Sequence, residues 1–245
     1  MNNSLNKSQI ERFSRQLILK NIGAHGQKKI LSSKILIVGV GGLGCPAAEN
    51  LVRAGIGTIG LIDNDIVNLS NIHRQSLFNS KDIKKPKVTV AAKKLKEINS
   101  LTKIKTYKSK LNKKNIEKII KNYEIIIDGS DNFKTKFLVN DYCLKLKKKL
   151  ITGAISKFDG HIFSFDFKDQ KIASLKDFYQ EEKVSDDILN CEFEGVLGTT
   201  ASVVGATQAN EALKMIIKAG QKLKNQILII DLLNLNFRKV KFKKR

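Results

Sequence analysis

At 245 residues with 42% hydrophobic content, the chain can bury a substantial core, and it holds no apolar run near the ~20 residues of a membrane-spanning helix. Its formal net charge of +22, from 45 basic against 23 acidic residues, describes either a basic face for nucleic acid or a lysine bias spread over solvated surfaces, and the scatter of the lysines favours the second. Three cysteines without a close pair exclude a disulfide framework, and a polar start at residues 1–16 without a secretion signal points with them to a reducing, cytoplasmic setting.

From Lys34 onward, apolar runs alternate with amphipathic segments. Lys34–Val38 predicts a strand ending at the run Gly39-Val40-Gly41-Gly42-Leu43-Gly44, and a helix over 44–54 follows, closed by Gly55. Strand Thr58–Ile62, helix Lys87–Ile98 and strand Lys103–Tyr107 come next. A short helix at 115–121, a strand at 124–127, a helix at 133–146 and a strand at 150–155 complete the alternation. Continuous apolar strands separated by helices predict an α/β fold, doubly wound around a mostly parallel Rossmann-like sheet.

Beyond Ala154 the rhythm changes. Residues 160–167 alternate with period two, as a half-exposed antiparallel strand does. Residues 170–194 are charged and aperiodic, 199–219 read as helix, and 226–233 with 236–242 read as a closing strand pair. The expected organisation is one domain over 1–245 with a C-terminal antiparallel extension and a crossover loop near 170–197. A loop of that length in a compact domain is usually functional or disordered.

Gly39, Gly41 and Gly44 keep the spacing of a phosphate-binding turn between a strand and a helix, with Gly42 inside it. Asp63 ends the next strand, where a carboxylate can take ribose hydroxyls; an Asx cap on the following turn is the alternative. Asp65, Ser70, Asn71 and Arg74 follow, then Lys85-Pro86-Lys87. Arginine and lysine together suit a polyphosphate and the charge that builds on a leaving pyrophosphate, more than they suit a nicotinamide. Gly129-Ser130-Asp131-Asn132 follows a strand terminus, so Asp131 can hold Mg²⁺ beside phosphate oxygens or cap the helix at Phe133.

These residues resemble the ThiF/MoeB/HesA family, the adenylyltransferases that activate ubiquitin-like sulfur carrier proteins. The resemblance spans 12–242 and rests on Arg12-Phe13-Ser14-Arg15-Gln16, the glycine run, Asp63 to Gln75, Lys85-Pro86-Lys87 and Ser130-Asp131-Asn132. It implies ATP and Mg²⁺ as cofactors, with a C-terminal glycine carboxylate of the carrier as nucleophile. Asp63 would take the ribose; Ser70, Asn71, Arg74 and Lys87 the phosphates; Asp131 the Mg²⁺, with Asp65 and Asn132 beside them. Arg15 resembles an arginine that reaches the neighbouring protomer's site, which implies a homodimer; taken alone it is an exposed residue of an N-terminal helix. A carrier ending in Gly-Gly and a sulfur donor protein are the implied partners, with no membrane and no nucleic acid.

Many relatives carry two C-x-x-C pairs for zinc. Here the first pair falls at Ala173 and Lys176, and the chain ends at Arg245 before the second, so no zinc site is expected. The crossover loop is then either looser or held by packing. Cys45 and Cys143 read as structural. Cys191, in the polar loop before Gly195, matches a position where some relatives carry a thiol that accepts the activated carrier; a loop cysteine with no role is the alternative. The rival activity, from another branch of the superfamily, is a threonylcarbamoyladenosine dehydratase-like enzyme that activates a carboxylate on a tRNA nucleoside. The high charge suits it, whereas Arg15-Gln16 and the lack of a basic, aromatic-interleaved segment do not.

Overall fold

The computed structural model describes residues 4–179 and 195–244. Eight strands, β1 (Lys34–Val38), β2 (Thr58–Ile62), β3 (Lys103–Tyr107), β4 (Ile125–Asp128), β5 (Lys149–Ser156), β6 (Asp159–Asp166), β7 (Gln226–Asp231) and β8 (Asn236–Lys241), form one sheet. Its order is β3-β2-β1-β4-β5-β6-β7-β8. The pairs from β3 to β5 are parallel and those from β5 to β8 antiparallel. This is the expected parallel sheet with its antiparallel C-terminal extension.

The helices among the described residues are α1 (Lys7–Arg12), α2 (Ser14–Leu17), α3 (Gly23–Ser32), α4 (Gly44–Arg53), α5 (Lys87–Ile98), α6 (Ile116–Ile120), α7 (Phe133–Lys145), α8 (Leu175–Phe178) and α9 (Gly198–Ile217). None is long and apolar enough to cross a membrane. The strands feed two core layers because successive side chains point to opposite faces. Ile35 and Ile37 of β1 join Ile59, Ile125 and Ile151 in one layer, with α4, α5 and α9. Leu36 and Val38 join Ile126, Leu150 and Phe163 in the other, with α6 and α7.

Strand β6 is not half-exposed. Ile162, Phe163, Ser164 and Phe165 are all buried. On one face Gly160 admits α9, for an added Cβ would sit 2.2 Å from Val204 Cγ2. On the other, Phe163 meets Phe178 at 5.0 Å and Phe242 at 5.9 Å between ring centroids, and Phe178 meets Phe242 at 5.4 Å. Period-two patterning failed here because both faces of an antiparallel strand can be covered when a helix and an aromatic cluster flank it.

The same cluster secures the start of the crossover segment. Ala173 N donates to Asn225 Oδ1 at 2.8 Å and Leu175 N to Asn140 Oδ1 at 3.0 Å. Packing therefore holds the segment as far as Tyr179. Residues 180–194, and Cys191 with them, lie outside the described residues.

Helix α3 escapes sequence reading because its ten residues include Gly23 and Gly26 and carry no wide apolar face. Close approach places it: Gly57 lies where a Cβ would be 2.0 Å from the Leu31 carbonyl oxygen, and Gln27 Nε2 donates to Ala54 O at 3.0 Å.

Candidate nucleotide site

The strand order reverses between β1 and β4, and open α/β sheets leave a crevice beyond the strand ends at such a switch point. The two turns that leave these strands touch. Gly129 N donates to Val38 O at 2.9 Å, and Gly39 N to Ile62 O at 2.9 Å. Gly39 has φ +82°, and a Cβ there would lie 3.0 Å from Gly129 O. A cavity of about 280 Å³ opens above them.

Gly39, Gly41, Gly42, Asp63, Asp65, Arg74, Lys87, Asp131 and Asn132 all line this cavity. Residues from four separate stretches of sequence thus converge at one place. Gly41 faces open space, since an added Cβ would find only Gln75 Nε2, at 3.7 Å. Gly44 has a different reason to be glycine: a Cβ would fall onto the Gly39 carbonyl oxygen, so its bareness closes the turn and starts α4.

Asp63 is held by the turn it faces. Its Oδ2 accepts from Val40 N at 2.7 Å and its Oδ1 from Asp65 N at 2.8 Å. Burial pushes its carboxyl above the ordinary 3.8, an effect offset in part by the Lys87 charge and by these two N–H groups.

Segment 65–67 pairs with 84–87, which explains why the two motifs travel together. Val67 N donates to Lys85 O and Lys87 N to Asp65 O, at 2.9 and 3.0 Å. Lys87 opens α5 with its side chain only 7% exposed, and its Nζ contacts Asp65 Oδ2 at 3.0 Å while that aspartate stays 57% exposed. Asp65 thereby supplies a counterion to a buried ammonium at the cavity wall.

Arg74 lies across Gly42, its Cγ 3.6 Å from where a Cβ would be. Its Nη1 donates to Ser70 O at 2.8 Å and lies 2.7 Å from His73 Nε2. Ser70 and Asn71 do not line the cavity. They support the turn beneath Arg74: Ser70 through that carbonyl, Asn71 through Oδ1, which accepts from Asn68 N at 3.1 Å. Helix α9 seals the same turn, because a Cβ on Gly198 would sit 2.3 Å from His73 O.

Asp131 is exposed on the cavity wall. It does not cap α7. Asn132 does, its Oδ1 accepting from Thr135 N at 2.8 Å while its amide donates to Asp131 Oδ1 at 3.2 Å. A carboxylate exposed on the wall of this cavity is the hard-oxygen chemistry that Mg²⁺ takes, usually as one or two carboxylates together with phosphate oxygens. Arg15 is exposed on α2 and does not line this cavity. Cys45 and Cys143 are buried, as expected; burial pushes the Cys45 thiol up to about 12 and raises that of Cys143 as well.

Sequence reading missed several lining residues. Lys110 and Leu111 come from the loop after β3, and their signal was that position, beyond a parallel strand's C-terminal end. Lys136 lines the wall from inside α7, and nothing local separates it from the solvated lysines around it. Gln75, 3% exposed, also lines it, and its Oε1 has no partner among the described residues.

The glycine turn, its carboxylate and its ring of cations define a nucleotide-binding enzyme of the Rossmann-like class. A match to the ThiF family covers residues 13–245. The chain is 38% identical over 240 residues to a probable molybdopterin-synthase adenylyltransferase of Gracilaria tenuistipitata var. liui, covering 98% of this chain and 67% of that one. It is 35% identical over 237 residues to a sulfur carrier protein adenylyltransferase of Thermus thermophilus, covering 96% and 88%. Against the adenylyltransferase and sulfurtransferase MOCS3 of Drosophila virilis it is 40% identical over 242 residues, spanning 53% of that protein. In fold alone it is similar to MccB of E. coli solved with MccA-N7isoASN, at TM-score 0.84 and 23% identity, covering 98% and 74%. The chain belongs to the ThiF family and is an ATP-dependent adenylyltransferase.

Proposed function

We propose that this enzyme adenylates the C-terminal glycine carboxylate of a small ubiquitin-like sulfur carrier protein, of the kind used in molybdopterin or thiamine biosynthesis. The observation that carries the reading is the convergence of the glycine turn, Asp63, Arg74, Lys87 and Asp131 on one cavity at the sheet's switch point. Asp63 accepts hydrogen bonds from the ribose hydroxyls, and the bare backbone at Gly41 lets the phosphates approach the turn that opens α4, whose N-terminal end favours negative charge.

The carrier's carboxylate oxygen attacks the α-phosphorus. The bond from that phosphorus to the bridging oxygen breaks, and pyrophosphate leaves with the electron pair. Arg74 and Lys87 stabilise the charge that accumulates on the leaving group, an effect strongest where, as at Lys87, water is excluded. Mg²⁺ held by Asp131 neutralises phosphate charge when bound. Residues 1–245 act as one adenylating domain in the cytoplasm. Arg15 serves the site of a second copy in a homodimer, and Cys191 is the thiol that accepts the activated carrier before a sulfur donor protein acts.

The test is ATP–pyrophosphate exchange by the purified protein with a carrier ending in Gly-Gly. Exchange should depend on the carrier and vanish when its last glycine is removed. Exchange indifferent to that glycine would sink the proposal, and ATP turnover stimulated by tRNA instead of carrier would favour the nucleoside-modifying rival.

A further inference from the structure

Asp128 and Lys136 form the most deeply buried of the described ion pairs, with side chains 1% and 3% exposed. Taking two charges out of water generally returns no net stability, and a well-packed apolar pair would serve as well. Helix α7 is in any case anchored by buried Phe133 and Phe137. Stability alone therefore does not account for the pair, but its contacts do.

Lys136 Nζ donates to Asp128 Oδ2 at 3.2 Å and to Gly153 O at 2.6 Å, tying the first turn of α7 to the C-terminal end of β4 and to the interior of β5. Thr152 Oγ1 donates to the same Oδ2 at 2.6 Å. The other carboxylate oxygen, Oδ1, accepts from Ser130 N at 3.0 Å and from Ser130 Oγ at 2.5 Å. From the opposite side of the sheet, Gln208 Nε2 donates to the Asp128 carbonyl at 2.9 Å. All of these contacts except the Lys136–Gly153 bond meet at Asp128, whose Oδ1 holds Ser130 of the turn that carries Asp131 to the cavity.

We propose that Lys136 is a positioning residue for adenylyl transfer: by holding the Asp128 carboxylate in place, it fixes the 129–132 turn and hence the position of Asp131 on the cavity wall. The proposal deepens the adenylation reading and rests on it. It separates the chain's carboxylates by task, with Asp63 and Asp131 facing the nucleotide and Asp128 acting behind them.

The test uses Lys136→Met, Lys136→Arg and Asp128→Asn in the full-length protein. In Lys136→Met, hydrogen exchange at the Ser130 amide should quicken by ~10-fold as the turn loosens. The kcat of carrier-dependent exchange should fall by ~30-fold or more, while the KM for ATP stays within ~3-fold, because the ribose and phosphate ligands are untouched. Lys136→Arg, which keeps the charge and offers more donors, should recover most of kcat. A folded Lys136→Met protein with unchanged kcat would overturn the proposal. So would loss of thermal stability with wild-type kcat per folded molecule, the mark of a purely structural pair. Should Lys136→Met fail to fold, Asp128→Asn keeps the side-chain shape and decides the matter, unchanged kcat again being the refuting result. If wild-type protein lacks exchange altogether, the adenylation reading fails, and Ser130 amide protection still reports whether the tie exists.

Discussion

Two glycines of the turn between β1 and α4, Gly41 and Gly44, should respond to alanine in opposite ways. A Cβ at Gly44 would lie almost on top of the Gly39 carbonyl oxygen and 3.2 Å from Ile37 Cγ2. The backbone oxygen cannot yield without opening the turn. Alanine would gain up to ~1 kcal/mol of helix propensity at the start of α4, but overpacking of this kind costs ~1–3 kcal/mol and here falls on main chain, at or beyond the upper end. The net loss is ~2 kcal/mol, which lowers Tm by ~4–8 °C in a chain of this size. At Gly41 the nearest atom to an added Cβ is Gln75 Nε2 at 3.7 Å, an ordinary contact. Gly41→Ala should therefore change stability by under ~0.5 kcal/mol. Its methyl group instead enters the cavity where phosphate would approach the backbone, and ATP affinity should drop by ~10–100-fold, or ~1.4–2.8 kcal/mol. Thermal unfolding by circular dichroism and calorimetric titration with ATP separate the two effects. Gly41→Ala binding ATP as tightly as wild type would refute the assignment of this turn, and Gly44→Ala unfolding at the wild-type temperature would refute the packing argument.

Asp131→Asn should leave Tm within ~1 °C, because Asn132 and not Asp131 caps α7, yet cut adenylate formation by ~100-fold or more. Asn132→Ala should lower stability by ~1 kcal/mol in denaturant titration through loss of that cap. Burial raises the Asp63 carboxyl above 3.8, so the folded state binds this proton more tightly than the unfolded chain does. Asp63 therefore detracts from stability at neutral pH, and that deficit shrinks as pH falls through its folded-state value. ATP affinity should fall over the same window as the ribose acceptor is neutralised. Asp63→Asn should abolish both dependences, and parallel Tm and affinity measurements across acid pH check the opposite signs; an unchanged difference between variant and wild type at all pH would refute them. Burial pushes the Cys45 thiol up to about 12 and raises Cys143 too, so a Cys191→Ser protein should resist thiol reagents near pH 8 until it is denatured; labelling of the native variant would contradict this.

Strands β1, β2 and β4 could be read directly because each is a continuous apolar run closed by glycine or aspartate, the pattern that burial on both faces demands. Strand β6 was legible as a strand but not as a buried one, since its cover comes from Val204 and Phe178, elements that alternation along one strand cannot report. Helix α3 was hidden for a related reason: it is placed by the contact of Gly57 with Leu31 and not by an apolar stripe of its own.

The sequence by itself determined the α/β class, the order of the elements and the chemical kind of the site. Those features are written in short-range patterns: a glycine turn between a strand and a helix, a carboxylate at the next strand end, cations a few residues beyond. Only the tertiary structure decided how the charges are divided. Lys87 is buried against Asp65, Asn71 supports the turn beneath Arg74, Asn132 caps α7 so that Asp131 is left exposed, and Lys136 is committed to Asp128. In a chain with 45 basic residues, spacing cannot say which cation meets which carboxylate. That is settled by distances of about 3 Å across strands and helices, and by how much water each pair loses when the sheet closes.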